Sequence, residues 1–136
     1  MKIIEIVNTY KVLGELHVYN LEDDEIVKII NARIEMKPYV DKYNAFLEDA
    51  KEKCKPSDYE EKSELISNWD TLDESIKKEL NKWLKQYNNK INNVIKDYTL
   101  QEVELNIEKL DPSSAVKLLK ANNWQPNKLD EISIIL

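Results

Sequence analysis

Two runs of apolar residues spaced three or four apart constrain the fold of this chain most, because that repeat lines one side of an α-helix. In the second run the steps between apolar residues are 4, 3, 4, 4, 3 and 4: Ile76, Leu80, Trp83, Tyr87, Ile91, Val94 and Tyr98. This spacing is close to a heptad repeat and is typical of a coiled-coil seam. A helix over residues 72–98 is therefore predicted, and Thr71 with Glu74 predicts a capping box at its start.

The first run follows an acidic stretch at residues 22–25, where negative charge suits the N-terminus of a helix. Its apolar positions continue in phase past a proline: Ile26, Ile29, Ile30, Met36, Val40, Tyr43, Leu47, Ala50 and Cys54. Because proline removes a backbone hydrogen bond, we predict a helix over residues 24–54 that is kinked near Pro38. The two runs together predict a long antiparallel helical hairpin over residues 24–98, with its apolar faces inward.

The period of the pattern changes to two after the hairpin. Apolar residues alternate there with polar ones, as in a half-buried strand: Val103, Leu105 and Ile107. Asp111 and Pro112 then open a short helix, and the isoleucine-rich residues 129–136 are strand-like again. Residues 100–136 are thus predicted to form a small two-stranded β element around a short helix.

A short helix is predicted before the hairpin, over residues 4–16, although residues 3–7 fit a short strand as well. The predicted fold class is mainly α with a minor β part. Since 136 residues form one modest core and no linker or repeat interrupts them, we expect a single domain over residues 1–136.

Side chains for the common catalytic and metal chemistries are scarce in this chain. It holds one glycine, one histidine and one cysteine: Gly14, His17 and Cys54. A lone glycine cannot form a glycine-rich phosphate loop, and one histidine with one cysteine is too few for a zinc site. Two carboxylates suffice for a glycosidase, but the acids of the predicted strand fit its solvated face. We expect no enzyme activity, no cofactor and no metal.

The charge of the chain, −6 with a pI near 4.9, disfavours nucleic acid as a partner. Its single arginine, Arg33, makes recognition of phosphate or guanine less expected still. Residues 77–96 nevertheless hold six lysines against one acid, with aromatic residues between them. Lys82 and Lys85 are therefore candidates for binding single-stranded nucleic acid. Pairing of this stretch with the acidic residues 22–25 is the alternative.

Protein partners have candidate contact residues in two places. Trp69 and Trp124 each lie at a predicted turn, where an exposed tryptophan can anchor a protein–protein contact and a buried one packs a hinge. Three acids of the predicted strand share one face and offer a partner negative charge: Glu102, Glu104 and Glu108.

Residues 24–33 (DEIVKIINAR) and 39–43 (YVDKY), with the order of predicted elements, resemble small proteins encoded in bacteriophage and prophage genomes. The resemblance covers the organisation of most of the chain but contains no catalytic or ligand motif. It implies a phage or mobile-element setting, in which small acidic helical proteins assist assembly, join the virion or inhibit a host system.

Two functions remain open at this point. The first is a non-enzymatic protein–protein interaction protein, a structural or assembly component of a phage that binds other phage proteins or copies of itself. The alternative is an inhibitor that covers the surface of a bacterial defence or regulatory protein. Because the N-terminus lacks the apolar run of a signal peptide and no stretch is apolar enough to span a bilayer, we expect the cytoplasm of the host or the virion.

Overall fold

Five α-helices and two 3-10 helices follow one another in the computed structural model, which describes all residues from Met1 to Leu136. The α-helices are α1 (Ile3–Glu15), α2 (Asp23–Cys54), α3 (Tyr59–Ser67), α4 (Glu74–Thr99) and α5 (Pro112–Asn122). The 3-10 helices span Trp69–Thr71 and Pro126–Ile135, the second with a kink at Ile132, whose backbone is not helical. The prediction of a mainly helical chain is confirmed. None of these helices combines the length and apolar character needed to cross a bilayer.

The chain divides into two compact units. Met1–Asn44 and Tyr98–Leu136 form the first, here called the terminal unit, and Ala45–Asp97 form the second, the middle unit. The prediction of one domain over residues 1–136 stays a prediction.

The two long helices predicted from the apolar periods are both present. Helix α2 is continuous through Pro38, and the kink predicted near this proline stays a prediction. Its core positions in the terminal unit fall at steps of three and four: Ile29, Ala32, Met36 and Val40. In α4 the buried positions are Leu80, Ile91 and Ile95. The predicted capping box is wrong, because the Thr71 hydroxyl donates to the carbonyl of Asn68 and Asp73 accepts the first helical hydrogen bond of α4, from Lys77.

The terminal unit has one apolar core, built by α1, α2, α5 and the C-terminal 3-10 helix. Its buried members come from every part of the unit: Ile6, Val12, Leu13, Leu21, Ile29, Ala32, Met36, Val40, Leu110, Leu118, Ile132 and Ile135. Residues 3–7 are helical, which settles the alternative left open for them. Buried Thr9 links α1 to the C-terminus, since its hydroxyl donates to the carbonyl of Glu131 at 3.0 Å.

The predicted C-terminal two-stranded β element is wrong. Residues 129–136 lie in the 3-10 helix and its end, and no strand is present. The sequence around Val103–Ile107 does alternate between half-buried and exposed side chains, but it pairs with other backbone at one antiparallel bridge only, Lys2 with Glu102. There the amide of Val103 donates to Met1 at 2.8 Å. Because α1 begins at Ile3, no further extended backbone is left to continue the pairing.

The middle unit packs the end of α2 and helix α3 against α4. The Tyr87 hydroxyl donates to the carbonyl of Lys51 at 2.8 Å, and the Trp83 indole donates to Asp58 at 3.3 Å. Residue numbers rise from Lys51 to Asp58 while those of the residues they contact fall from Tyr87 to Trp83. The end of α2 therefore runs antiparallel to α4 within this unit. The rings of Trp83 and Tyr87 stack at 5.9 Å, and Tyr59 packs tilted against both.

Candidate interaction surface

Helix α2 carries a second apolar stripe that faces away from the core. Val27, Ile30 and Ile34 are 49%, 50% and 61% exposed, and their spacing of three and four places them on one side of the helix. We call these three residues the α2 stripe. Exposed aliphatic side chains that stand singly are ordinary on a protein surface, but a contiguous row is typical of a binding surface.

Charged residues of opposite sign stand at the two ends of the α2 stripe. Asp23 lies one turn before Val27 and Lys37 one turn after Ile34, so the steps from 23 to 37 are 4, 3, 4 and 3. Asp23 is exposed and makes no ion pair. The Lys37 ammonium lies 2.7 Å from the carboxylate of Asp41, and this hydrogen bond raises the pKa of Lys37. The surface is therefore apolar in the middle, with an unpaired carboxylate, that of Asp23, at one end and the ammonium of Lys37, paired with Asp41, at the other.

A shallow groove of about 220 Å³ lies beside the stripe and contains the only arginine of the chain. Its lining residues are Tyr10, Ile30, Arg33, Ile34 and Lys37. The guanidinium carbon of Arg33 lies 4.5 Å from the centre of the Tyr10 ring, and its Nε is buried without a hydrogen-bond acceptor. An arginine that stacks on an aromatic ring and lacks a carboxylate partner is suited to pair with a carboxylate from outside.

The two tryptophans predicted to contact partners are half-buried. Trp69, in the middle unit, lies in the 3-10 helix before α4, with the Lys77 ammonium 5.7 Å above its ring. Trp124, in the terminal unit, follows α5 and packs against the apolar core. Each thus already contributes ring area to packing within its own unit. Their assignment to a partner contact stays a prediction.

The three acids assigned to partner contacts are exposed, as their alternation with apolar residues predicts. Two of them pair within the chain. Glu102 lies 3.0 Å from the N-terminal amine, and Glu108 lies 3.6 Å from the ammonium of Lys28. Glu104 alone makes no ion pair. Most of the negative charge on this segment is thus already matched by a neighbouring cation.

The lysine-rich stretch of α4 is exposed at Lys82 and Lys85, which make no ion pair. The aromatic rings beside them are half-buried and stack on each other rather than facing outward: Tyr59, Trp83 and Tyr87. Stacking of nucleic-acid bases needs a free ring face. This geometry favours a packing role for the rings over base stacking, and nucleic-acid binding by Lys82 and Lys85 stays a prediction.

A polar cluster joins the start of α2 to the start of α5. The carboxylate of Glu25 accepts hydrogen bonds from the Lys117 ammonium at 2.6 Å, from the hydroxyl of Ser114, and from the amide of Glu22 at 2.9 Å. These bonds, that from Lys117 first, lower the pKa of Glu25 from 4.5 to about 2. Both Glu25 and Ser114 are buried. Because every group has a partner inside the protein, the cluster fixes the two helices to each other.

A cleft of about 560 Å³ lies between α1 and the C-terminal 3-10 helix. Its lining mixes charges of both signs: Glu5, Lys11, Glu15, Lys128, Asp130 and Glu131. The ammonium of Lys128 lies 2.6 Å from the carboxylate of Glu131, and the buried Thr9 hydroxyl has its own acceptor. No three histidine, cysteine, aspartate or glutamate side chains in the chain are grouped so that they could hold a metal ion.

Sequence reasoning missed the α2 stripe and assigned Ile30 to the buried face. The signal was present in the sequence, since positions 23, 27, 30, 34 and 37 repeat at steps of four and three just as the core positions do. It was obscured because isoleucine or valine occurs on both sides of the same helix.

Comparisons with protein-family models, with curated proteins and with solved structures find no match to this chain.

Proposed function

We propose that this chain is a non-enzymatic protein–protein interaction protein and that the α2 stripe, with Arg33 beside it, is its docking surface. The observation that carries the proposal is the contiguous row of half-exposed aliphatic side chains at Val27, Ile30 and Ile34. Covering such a row removes apolar surface from water, which stabilises a complex by about 25 cal/mol per Å² before the costs of association.

The unpaired guanidinium of Arg33 adds a directional contact next to the apolar one. Tyr10 holds its guanidinium plane in place, so little side-chain freedom is lost when a carboxylate binds it. Interfaces commonly combine an aliphatic or aromatic centre with an arginine at its side. The surface thus offers both features within one groove.

The resemblance to small phage and prophage proteins makes a structural or assembly role in a phage the first candidate setting. The alternative is an inhibitor that covers a bacterial defence or regulatory protein. An inhibitor that imitates nucleic acid needs a dense acidic face, and the internal ion pairs of Glu102 and Glu108 weaken that version. An inhibitor that binds through the α2 stripe remains a candidate, and the two settings differ only in the identity of the partner.

Site-specific photo-crosslinking tests the proposal. A photoreactive side chain is placed at position 34 in the full chain, and a second variant carries it at position 116, where Val116 is exposed to a similar degree on α5. In an extract of the cells that make the protein, we expect discrete crosslinked bands from position 34 and none from position 116. Equal labelling from the two positions would refute the docking surface.

Mass spectrometry of the crosslinked band then identifies the partner. A virion or assembly protein, or this chain itself, supports the assembly role. A host defence or regulatory protein supports the inhibitor instead.

A further inference from the structure

We propose that the α2 stripe binds a second copy of this chain, with the two α2 helices antiparallel about a two-fold axis near Ile30. The inference rests on the proposed function, since it names the occupant of the same surface. It follows from the order of the charged and apolar residues along the exposed side of α2.

The exposed side of α2 is complementary to itself when it is reversed. Asp23 and Lys37 stand at equal distances from Ile30, one on each side, and the apolar stripe fills the space between them. The distance from Asp23 to Lys37 is about 21 Å along the helix at 1.5 Å per residue. Turning a second helix end for end therefore brings each acidic end against a basic end.

The same reversal matches the apolar residues. A two-fold axis near Ile30 places that side chain against its own counterpart, and it places Val27 near Ile34 of the second copy. Such an interface uses one patch twice, which is the commonest symmetry of soluble homo-oligomers. The seven-residue repeat from Asp23 to Lys37 also keeps the stripe facing the partner helix over two repeats.

A parallel arrangement of the two helices is disfavoured by the same charges. It would bring Lys37 against Lys37 and Asp23 against Asp23, and like charges at close range repel. In the antiparallel arrangement Asp23, which has no ion-pair partner within the chain, receives one. The Lys37 ammonium, already bonded to Asp41, then lies between two carboxylates.

Sedimentation equilibrium of the full chain tests the inference, at concentrations from about 1 μM to about 1 mM. We expect a monomer–dimer equilibrium in the wild type. Ile30→Glu places two carboxylates at the axis, so we expect its dissociation constant to rise at least about 100-fold. The matched control is Val116→Glu, an equally exposed apolar position on α5, for which we expect wild-type association. Circular dichroism verifies that both variants are folded.

Charge reversal tests the predicted ion pairs. We expect Asp23→Lys and Lys37→Asp each to weaken self-association about tenfold, because each replaces an attraction by a repulsion. A mixture of these two variants restores dimers, since one chain is then basic and the other acidic at both ends. A mixture that stays as weakly associated as its separate components would contradict the pairing.

Disulfide trapping tests the direction of the helices. In a Cys54→Ser background, a Val27→Cys chain is mixed with an Ile34→Cys chain that carries a mass tag, and both are oxidised. The antiparallel arrangement predicts a disulfide between a Val27→Cys chain and an Ile34→Cys chain. A parallel arrangement predicts disulfides between two Val27→Cys chains and between two Ile34→Cys chains. Predominance of the second product would overturn the antiparallel arrangement.

A monomer at every concentration, or a dimer that Ile30→Glu leaves intact, would overturn this inference. The crosslinking experiment tests the proposed function separately. If the monomer still crosslinks a different protein from position 34, the docking surface stands and its occupant is that protein. If position 34 crosslinks nothing, both proposals fail.

Discussion

The ammonium of Lys117 lies 2.6 Å from the carboxylate of Glu25, although 92 residues separate them in the sequence. Glu25 sits in the first turn of α2 and also accepts from the amide of Glu22 at 2.9 Å, one of the amides that a helix start leaves without an internal partner. The hydroxyl of Ser114 donates to the same carboxylate. One buried side chain thus caps its own helix and holds the start of α5 against it.

Protonation of Glu25 is predicted to destabilise the fold in acid. The pKa of this carboxyl falls from 4.5 to about 2 in the folded chain, mainly through the hydrogen bond from Lys117. Its stabilising contribution is fully present above 4.5, the unfolded value, and is lost as the pH falls through about 2. We expect the free energy of unfolding, measured by urea titration, to decline across that interval.

The variant Glu25→Gln should flatten the same profile, because the glutamine side chain does not titrate. Glu104→Gln serves as the control, since Glu104 is exposed and makes no ion pair, and we expect it to keep the wild-type decline. An unchanged slope in Glu25→Gln would show that other carboxyl groups produce the acid sensitivity.

The C-terminal 3-10 helix is predicted to be an integral part of the core. Ile132 is fully buried, and truncating such a side chain leaves a cavity, so Ile132→Ala should lower the free energy of unfolding by about 2–5 kcal/mol. Val116→Ala, at an exposed position of α5, should cost less than about 0.5 kcal/mol. Urea titration compares the two, and similar small effects would mean that the C-terminus contributes little to the core.

The long helices could be predicted from the sequence because their apolar period persists over many turns, which no strand pattern imitates. The sequence is less informative about which single residues of these helices are buried and which are exposed. Ile29 and Ile30 are adjacent and point about 100° apart on a helix, so the apolar period does not show which of them faces the core. Which of the two is buried depends on where α1 and α5 pack against α2, and the apolar period of α2 does not contain that information. In the structure Ile29 is buried and Ile30 is exposed.

The isoleucine-rich C-terminal residues predict a strand, because isoleucine has a high strand propensity. Ile132 and Ile135 are instead buried in the C-terminal 3-10 helix, which kinks at Ile132, where φ is −119° and ψ is 20°. Packing against α1 overrides the propensity here. The cluster of Glu25, Ser114 and Lys117 was likewise beyond sequence reasoning, because its partners meet only after the chain has folded.

Gly14 is predicted to be a position where alanine stabilises the protein. It lies inside α1 with a negative φ, and a Cβ there would meet the nearest atom, an Nη of Arg33, at 3.6 Å, an ordinary contact distance. Alanine restricts the unfolded chain more than glycine does, so Gly14→Ala should raise the free energy of unfolding by about 0.5–1 kcal/mol. A loss of stability would mean that Arg33 needs the space above the glycine.

Tyr87 is predicted to stabilise the middle unit through its hydroxyl group. That hydroxyl donates to the carbonyl of Lys51 at 2.8 Å, in the last turn of α2, where carbonyl groups lack internal partners. Burial raises the pKa of Tyr87, in keeping with a hydroxyl that stays protonated as a donor. Tyr87→Phe should therefore lower the free energy of unfolding by about 0.5–1.5 kcal/mol.

Tyr19→Phe provides the comparison, because the Tyr19 hydroxyl also donates to a carbonyl, that of Ala121 at 2.9 Å, but from a ring that is 78% exposed. Water readily replaces this exposed bond, so we expect the cost to stay below about 0.5 kcal/mol. Thermal and urea unfolding followed by circular dichroism measure both variants. If the two substitutions cost the same, burial of the Tyr87 side chain contributes nothing to the strength of its hydrogen bond.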